Sequence, residues 1–422
     1  MNARCLHAFV AALALLASVP VAGAADRADA ALEHARKVLD HAILFDGHND
    51  LPMAIREKLG PVPDLAAYDL RRPTPGHTDL ARLRAGRVGA QFWSVYIPGE
   101  ARGGFARTQL EQIAIARRVI AAYPETFVLA ATADDVERAH RAGKIASMLG
   151  MEGGYGIENS LGLLQAYYDL GVRYMALTHN THLDWADSAL QVPPKHGGLT
   201  EFGKSVVREM NRLGMLVDLS HASEATMHAA LDVTQAPVIF SHSSARALVD
   251  TPRNVPDSVL DRIADNGGVV MITFVAGFVS KDAANAMMPA IAEYSLRARE
   301  LATPAEREAL RKEIFSRVQM PKTTVAQVAD HVEYVAKRVG VDHVGIGGDF
   351  DGNEYWPEGL SDASMYPNLF AELVRRGWSD RDLAKLAGGN VLRVLREAEK
   401  TAARLQRESP GPRAPVVSAA AG

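Results

Sequence analysis

Short apolar runs rich in β-formers recur along the chain at Ala42–Phe45, Gly89–Val95, Ile145–Leu149, Val172–Leu177, Met215–Leu219, Val238–Phe240, Gly268–Phe274 and His343–Ile346. Their near-continuous apolar character is that of strands buried on both faces. Between them, apolar residues return every three or four positions with charges on the other side, as in Glu201–Leu213, Pro256–Ala264 and Val325–Arg338. That period predicts amphipathic helices. Strands alternating with helices imply parallel pairing through right-handed crossovers, so the pattern predicts an α/β fold, a single-domain (β/α)8 TIM barrel over residues 25–405.

Three segments break the pattern. Residues 280–321 are charged and helical in character and are expected to form an insertion between the seventh and eighth strands. A solvated helical hairpin is the expected reading and an active-site lid the alternative. At the N-terminus, Arg4 precedes an apolar run from Ala8 to Val21 and then Ala22-Gly23-Ala24, the layout of a secretory signal peptide over residues 1–24 with cleavage after Ala24. The run is too short for a comfortable membrane span of about 20 residues. Residues 406–422, rich in Pro, Ala and Gly from Ser409 onward, are expected to be a disordered tail, and they lack the apolar end of a lipid-anchor signal.

Composition changes this picture only by exclusion. Hydrophobic residues make up 48% and charged residues 23%, ample for a core. The formal charge of −4 becomes −5 once Arg4 leaves with the leader, so there is no basic field to attract nucleic acid. Cys5 is the only cysteine; the mature chain would have no thiol, disulfide or cysteine-ligated metal.

The chemistry appears where polar residues fall on this scaffold, because barrels of this kind build active sites at the C-terminal ends of their strands. His48 and Asp50 follow the first predicted strand, Glu152 the third, His179 the fourth, His221 the fifth and His242 the sixth. The last strand runs into Gly347-Gly348-Asp349-Phe350-Asp351-Gly352, whose glycines are expected to let the chain turn sharply. His228 and His331 read as surface or packing residues, and His343 begins a strand and so belongs to the opposite rim. Imidazoles and carboxylates converging on one rim are costly to bury without a metal or substrate to satisfy them. Histidine and carboxylate ligands without thiolates suit catalytic zinc. His48-x-Asp50 places two side chains on one face of an extended segment, His221 and His242 can make a second half-site, and Glu152 has two oxygens to bridge the ions. Five ligand candidates exceed the three usual at a single-zinc site. Metal pairs roughly 3.5–4 Å apart in hydrolases commonly share a hydroxide nucleophile.

Taken together, Asp46-Gly47-His48-Asn49-Asp50-Leu51-Pro52, Met151-Glu152-Gly153-Gly154, Leu177-Thr178-His179-Asn180, Asp218-Leu219-Ser220-His221, Ser241-His242-Ser243, Arg253-Asn254-Val255 and Gly348-Asp349-Phe350-Asp351-Gly352 resemble the membrane (renal) dipeptidase family of zinc peptidases. The resemblance runs from about His41 to Glu399. It implies a barrel of the metallo-dependent hydrolase type, with two zinc ions and hydrolysis of dipeptides that often carry a C-terminal D-residue. By position, His48 and Asp50 would hold one zinc, His221 and His242 the other, and Glu152 would bridge them. His179 and Arg253 would bind substrate, and Asp349 would move protons, with Asp351 as a possible substitute. The fork of Arg253 suits a substrate carboxylate, with a surface ion pair as its alternative. The resemblance also implies a homodimer, here non-covalent, and the leader predicts a soluble protein of the periplasm or exterior without a membrane anchor. Two rivals stand beside this reading: a metal-dependent amide hydrolase acting on N-acyl amino acids or cyclic amides or lactones, and a non-catalytic periplasmic metal- or peptide-binding protein, which would not need Asp349.

Overall fold

All eight predicted strands form, and they pair in parallel in the order that closes a barrel. In the computed structural model, which describes residues 24–99, 104–301 and 303–408, they are β1 (Leu44–Asn49), β2 (Val88–Ser94), β3 (Ile145–Glu152), β4 (Val172–Ala176), β5 (Leu216–Asp218), β6 (Ile239–Ser243), β7 (Val269–Ile272) and β8 (Val344–Ile346). Each pairs with its sequence neighbour, β8 pairs with β1, and the β2–β3 pairing, in register from Ala90↔Ala146 to Ser94↔Gly150, completes the ring. Sequence reading missed one short strand, Phe127–Leu129, which lies parallel to the first half of β3. From Leu149 onward that neighbouring place belongs to β4. Three residues with Val128 exposed are too few for a period to show.

The helices follow from their sequences. Glu201–Leu213 is helical over its predicted span, with the Thr200 side chain accepting from the Gly203 amide at the start and Gly214 in the left-handed conformation (φ 83°) at the end. The other two run Asp257–Asn266, after Pro256, and Val325–Val339. Inside the barrel Phe45, Phe92, Met148, Tyr174, Ile239 and Met271 pack against one another and against Val391, Val394 and Leu395 of the last helix, Asn390–Glu408. Each fully buried Phe or Met side chain of this kind contributes roughly 1.5–3 kcal/mol. With Asn390 Nδ2 donating to the carbonyls of Val341 and Val344, that helix closes the N-terminal end. The C-terminal end is thereby the open one.

The predicted insertion is helical. Helices Lys281–Arg297 and Pro304–Phe315 follow β7, joined by an apolar cluster of Ala290, Ala298, Leu310 and Ile314. The hairpin is docked on the rim as well as solvated: Phe315 and Met320 pack with Val275, Phe278 and Tyr355, the Tyr355 hydroxyl donates to the Phe315 carbonyl at 3.2 Å, and Arg311 pairs with Glu354 at 2.7 Å. Tyr355 and Glu354 lie in the segment after β8, so the hairpin braces the loop that carries Asp349. The expected leader and tail fall outside the described residues, apart from Ala24 and residues 406–408, which belong to helices Ala24–His41 and Asn390–Glu408. Among the described residues no helix is long and apolar enough to cross a membrane.

Candidate active site

The side chains predicted to meet at the open rim do meet there. His48 lies in β1 with Asp50 just beyond, Glu152 ends β3, His242 lies in β6, and His179, His221 and Asp349 each sit three residues past the ends of β4, β5 and β8. Glu152 is at the centre. Its Oε1 lies 3.0 Å from His221 Nε2 and 3.4 Å from His242 Nε2, while its Oε2 lies 3.4 Å from His48 Nε2. His48 Nε2 is in turn 3.2 Å from Asp50 Oδ2. One carboxylate therefore faces the His–Asp couple with one oxygen and the histidine pair with the other.

This arrangement fits metal ions. His48 Nε2 and Asp50 Oδ1 are buried without any hydrogen-bond partner, and the Nε2 atoms of His221 and His242 approach to 2.9 Å. The opposite nitrogens are spoken for: Nδ1 of His48 bonds the Tyr174 hydroxyl at 2.8 Å, Nδ1 of His221 the Asn180 Oδ1 at 3.0 Å, and Nδ1 of His242 the Ser241 hydroxyl at 2.8 Å. Outer partners of this kind orient the rings and turn each Nε2 toward the centre of the site. Three groups of ligand atoms lie close enough to hold an ion: His48, Glu152 and His242; Glu152, His179 and His221; and His48, Asp50 and Asp349. Glu152 is common to the first two. The site is a binuclear, zinc-type centre bridged by Glu152.

Electrostatics agree. Burial drives His221 and His242 well below the usual imidazole range, toward the neutral form that ligates. Burial opposes ionisation of Glu152, but His48, His179 and the bonded His221 and His242 outweigh it and hold the carboxyl well below its ordinary value. Asp349 goes the other way. Burial, reinforced by the Asp50 and Glu152 carboxylates, raises it well above the usual range against the pull of His48 and Arg253.

Asp349 and Asp351 part company here. Asp349 joins His48 and Asp50, and its amide donates to the His48 carbonyl at 3.1 Å while the Asp50 amide donates to the Phe350 carbonyl at 2.8 Å. Asp351 faces the His77 loop instead, where its Oδ1 accepts from the His77 amide at 2.6 Å. The sharp turn is made differently from the expectation. Asp349 and Asp351 themselves adopt the left-handed region (φ 66° each), as does His221 (φ 67°), whereas Gly347, Gly348 and Gly352 do not. Left-handed non-glycine residues concentrate at functional sites. Gly352 is needed for room: a Cβ there would lie 2.3 Å from Asp50 Oδ2 and 2.5 Å from Asp349 Oδ1.

Arg253 is 1% exposed, which removes the surface ion pair as its explanation. Its two terminal nitrogens donate to the Ser243 hydroxyl at 3.4 Å and the His242 carbonyl at 3.2 Å, its Nε has no partner, and its guanidinium lies over the Phe278 ring. Burial lowers it to about 10, leaving it cationic at neutral pH. His179, 14% exposed, places Nε2 3.8 Å from Glu152 Oε1, and its ring lies tilted against that of Tyr96. His331 is a buried packing residue whose Nδ1 accepts from the Ala245 amide, and His343 sits at the N-terminal rim with Nδ1 bonded to the Gly268 carbonyl. Sequence reasoning missed Tyr174, a polar residue on the inward face of a strand, and gave no role to Asn180, Asp218 and Ser241, although all three stand inside the recognised motifs.

A closed (β/α)8 barrel whose mouth holds two carboxylate-bridged half-sites defines a binuclear metal-dependent hydrolase. The chain belongs to the membrane dipeptidase family, peptidase family M19, whose family model matches residues 32–409. It is 40% identical over 374 residues to Dipeptidase 3 of Mus musculus, covering 87% of this chain and 66% of that protein, and 40% identical over 387 residues to Dipeptidase verJ of Clonostachys rogersoniana, covering 89% of each. Its fold is similar to that of the probable dipeptidase PvdM from Pseudomonas aeruginosa, with a TM-score of 0.76 and 27% identity over 88% of this chain and 99% of that one.

Proposed function

We propose that this protein hydrolyses dipeptides that have a free C-terminal carboxylate. The observation that carries the reading is Arg253, a buried cation with unspent donors directly beside the bridged metal centre. A guanidinium fork so placed recognises a carboxylate at fixed distance from the scissile bond, which admits a dipeptide and excludes longer chains. The chemistry a bound zinc pair supplies is polarisation of the scissile carbonyl and acidification of water. His179, at the edge of the site, donates a hydrogen bond to the oxyanion that develops on that carbonyl. Asp349 receives the proton of the attacking water and delivers it to the leaving amine. The family resemblance extends the substrate range to C-terminal D-residues. It also supports a non-covalent homodimer, and the apolar run Ala8–Val21 with its small-residue triplet supports export to the periplasm or exterior.

Arg253→Met is expected to lower kcat/KM for dipeptides about 10–100-fold, mostly through KM, the loss typical of a charge-assisted bond. Slow cleavage of C-amidated dipeptides should be unchanged. The check is steady-state kinetics on L,L- and L,D-dipeptides, their C-amides, tripeptides and N-acyl amino acids. Equal loss on amides and acids would remove Arg253 from carboxylate recognition. Cleavage of N-acyl amino acids alone would move the substrate class to the amide-hydrolase alternative.

A further inference from the structure

Among the described residues, two of the three ligand histidines are oriented by a group that bonds their Nδ1 and goes no further. His242 differs. Its Nδ1 bonds Ser241 Oγ at 2.8 Å, and that hydroxyl donates to Asp218 Oδ2 at 2.5 Å. Asp218 ends β5 and is fully buried. Its Oδ1 accepts from the amides of Ser220 at 3.0 Å and Ser241 at 2.9 Å. We infer that Asp218 is a positioning residue for the His221/His242 half of the metal centre, setting through Ser241 which nitrogen of His242 faces the ions.

An ionised carboxylate can only accept, and a serine has one hydroxyl proton. With that proton committed to Asp218, the Ser241 oxygen presents lone pairs to His242, so Nδ1 carries the ring proton. Nε2 is left bare, and it is the atom 3.4 Å from Glu152 Oε1 and 2.9 Å from His221 Nε2. The same carboxylate holds the backbone of Ser220, the residue before His221 in its left-handed turn. Ser220 Oγ in turn accepts from the His242 amide at 3.1 Å and from the Ser243 hydroxyl at 3.3 Å, and Ser243 Oγ accepts from Arg253. One buried acid thus underlies both histidines of one half-site and reaches the arginine. Ligand-orienting partners of this type are typically worth 10–100-fold in metal affinity. The inference rests on the binuclear centre and not on the substrate, so it can stand or fall independently of dipeptide cleavage.

Asp218→Asn should reverse the relay. The amide oxygen can keep the two backbone bonds, but its NH2 now donates to Ser241 Oγ, freeing the serine proton to point at His242 Nδ1. In metal-free full-length protein labelled with 15N-histidine, His242 should change from the Nδ1–H to the Nε2–H tautomer in long-range 1H–15N spectra. Zinc affinity measured by chelator competition should fall about 10–100-fold for one of the two ions only. Ser241→Ala, a smaller change, should give a mixed tautomer and weaken the same ion, and it decides the matter if the first variant does not fold. A folded variant that retains the Nδ1–H tautomer, or that binds both zinc ions with unchanged affinity, overturns the assignment.

Discussion

Glu152→Gln is expected to lose metal and activity together, with the metal count falling from two per chain to one or none and hydrolysis dropping by roughly 10³-fold or more. The reason is in the contacts. Oε1 faces His221 and His242, and Oε2 faces His48 beside Asp50. An amide replaces one of those oxygens with a donor that cannot ligate, and it removes the single negative charge lying between two dications. The metal-free protein should tolerate the change, because glutamine can hydrogen-bond to neutral imidazoles. A normal melting curve is therefore expected alongside a reduced zinc count by elemental analysis. A variant that keeps two ions and wild-type turnover would show that Glu152 does not bridge.

Asp349→Asn should separate the chemistry from the metal. Both zinc ions should remain, because Glu152, His48, Asp50, His221 and His242 are untouched, while kcat falls about 10²–10⁴-fold, the range typical for loss of a positioned proton-transfer group, with little change in KM. Asparagine preserves the shape of the turn and, like aspartate, tolerates its left-handed backbone (φ 66°), so folding is not the variable. Loss of an ion would make Asp349 a ligand of the His48–Asp50 half-site, and unchanged kcat would remove it from proton transfer. The same substitution at Asp351 should leave kcat near wild type, because that carboxylate is bonded to the His77 loop. Its cost would appear in stability.

Most of this site was legible in the sequence. His48, Glu152, His179, His221, His242 and Asp349 each follow or end an apolar run, and the barrel topology turns that one-dimensional rule into convergence on a single rim. The choice between Asp349 and Asp351 was not legible. It depends on which of two left-handed residues, one on either side of Phe350, aims inward, and that is settled by pairing of the turn with His48 and Asp50. Nor was the burial of Arg253 visible, since a lone arginine after a strand reads equally well as a surface ion pair. The Asp218–Ser241–His242 relay escaped for a related reason. Its members are 23 residues and one residue apart along the chain, and only the β5–β6 pairing, Asp218↔Ile239, brings them together. The insertion was recognisable as helical from its composition, but its docking on Tyr355 and Glu354 belongs to tertiary packing.

Zinc reconstitution decides whether a carboxylate-bridged zinc pair hydrolyses dipeptides in this protein, and the reading stands or falls on it. Protein stripped by chelation is titrated with zinc while the bound metal and the hydrolysis of an L,D- and an L,L-dipeptide are followed together. Activity is expected to be absent in the stripped protein, to rise with zinc, and to level off at two equivalents per chain. Full activity without metal, or two bound zinc ions with no hydrolysis of any dipeptide, would contradict it.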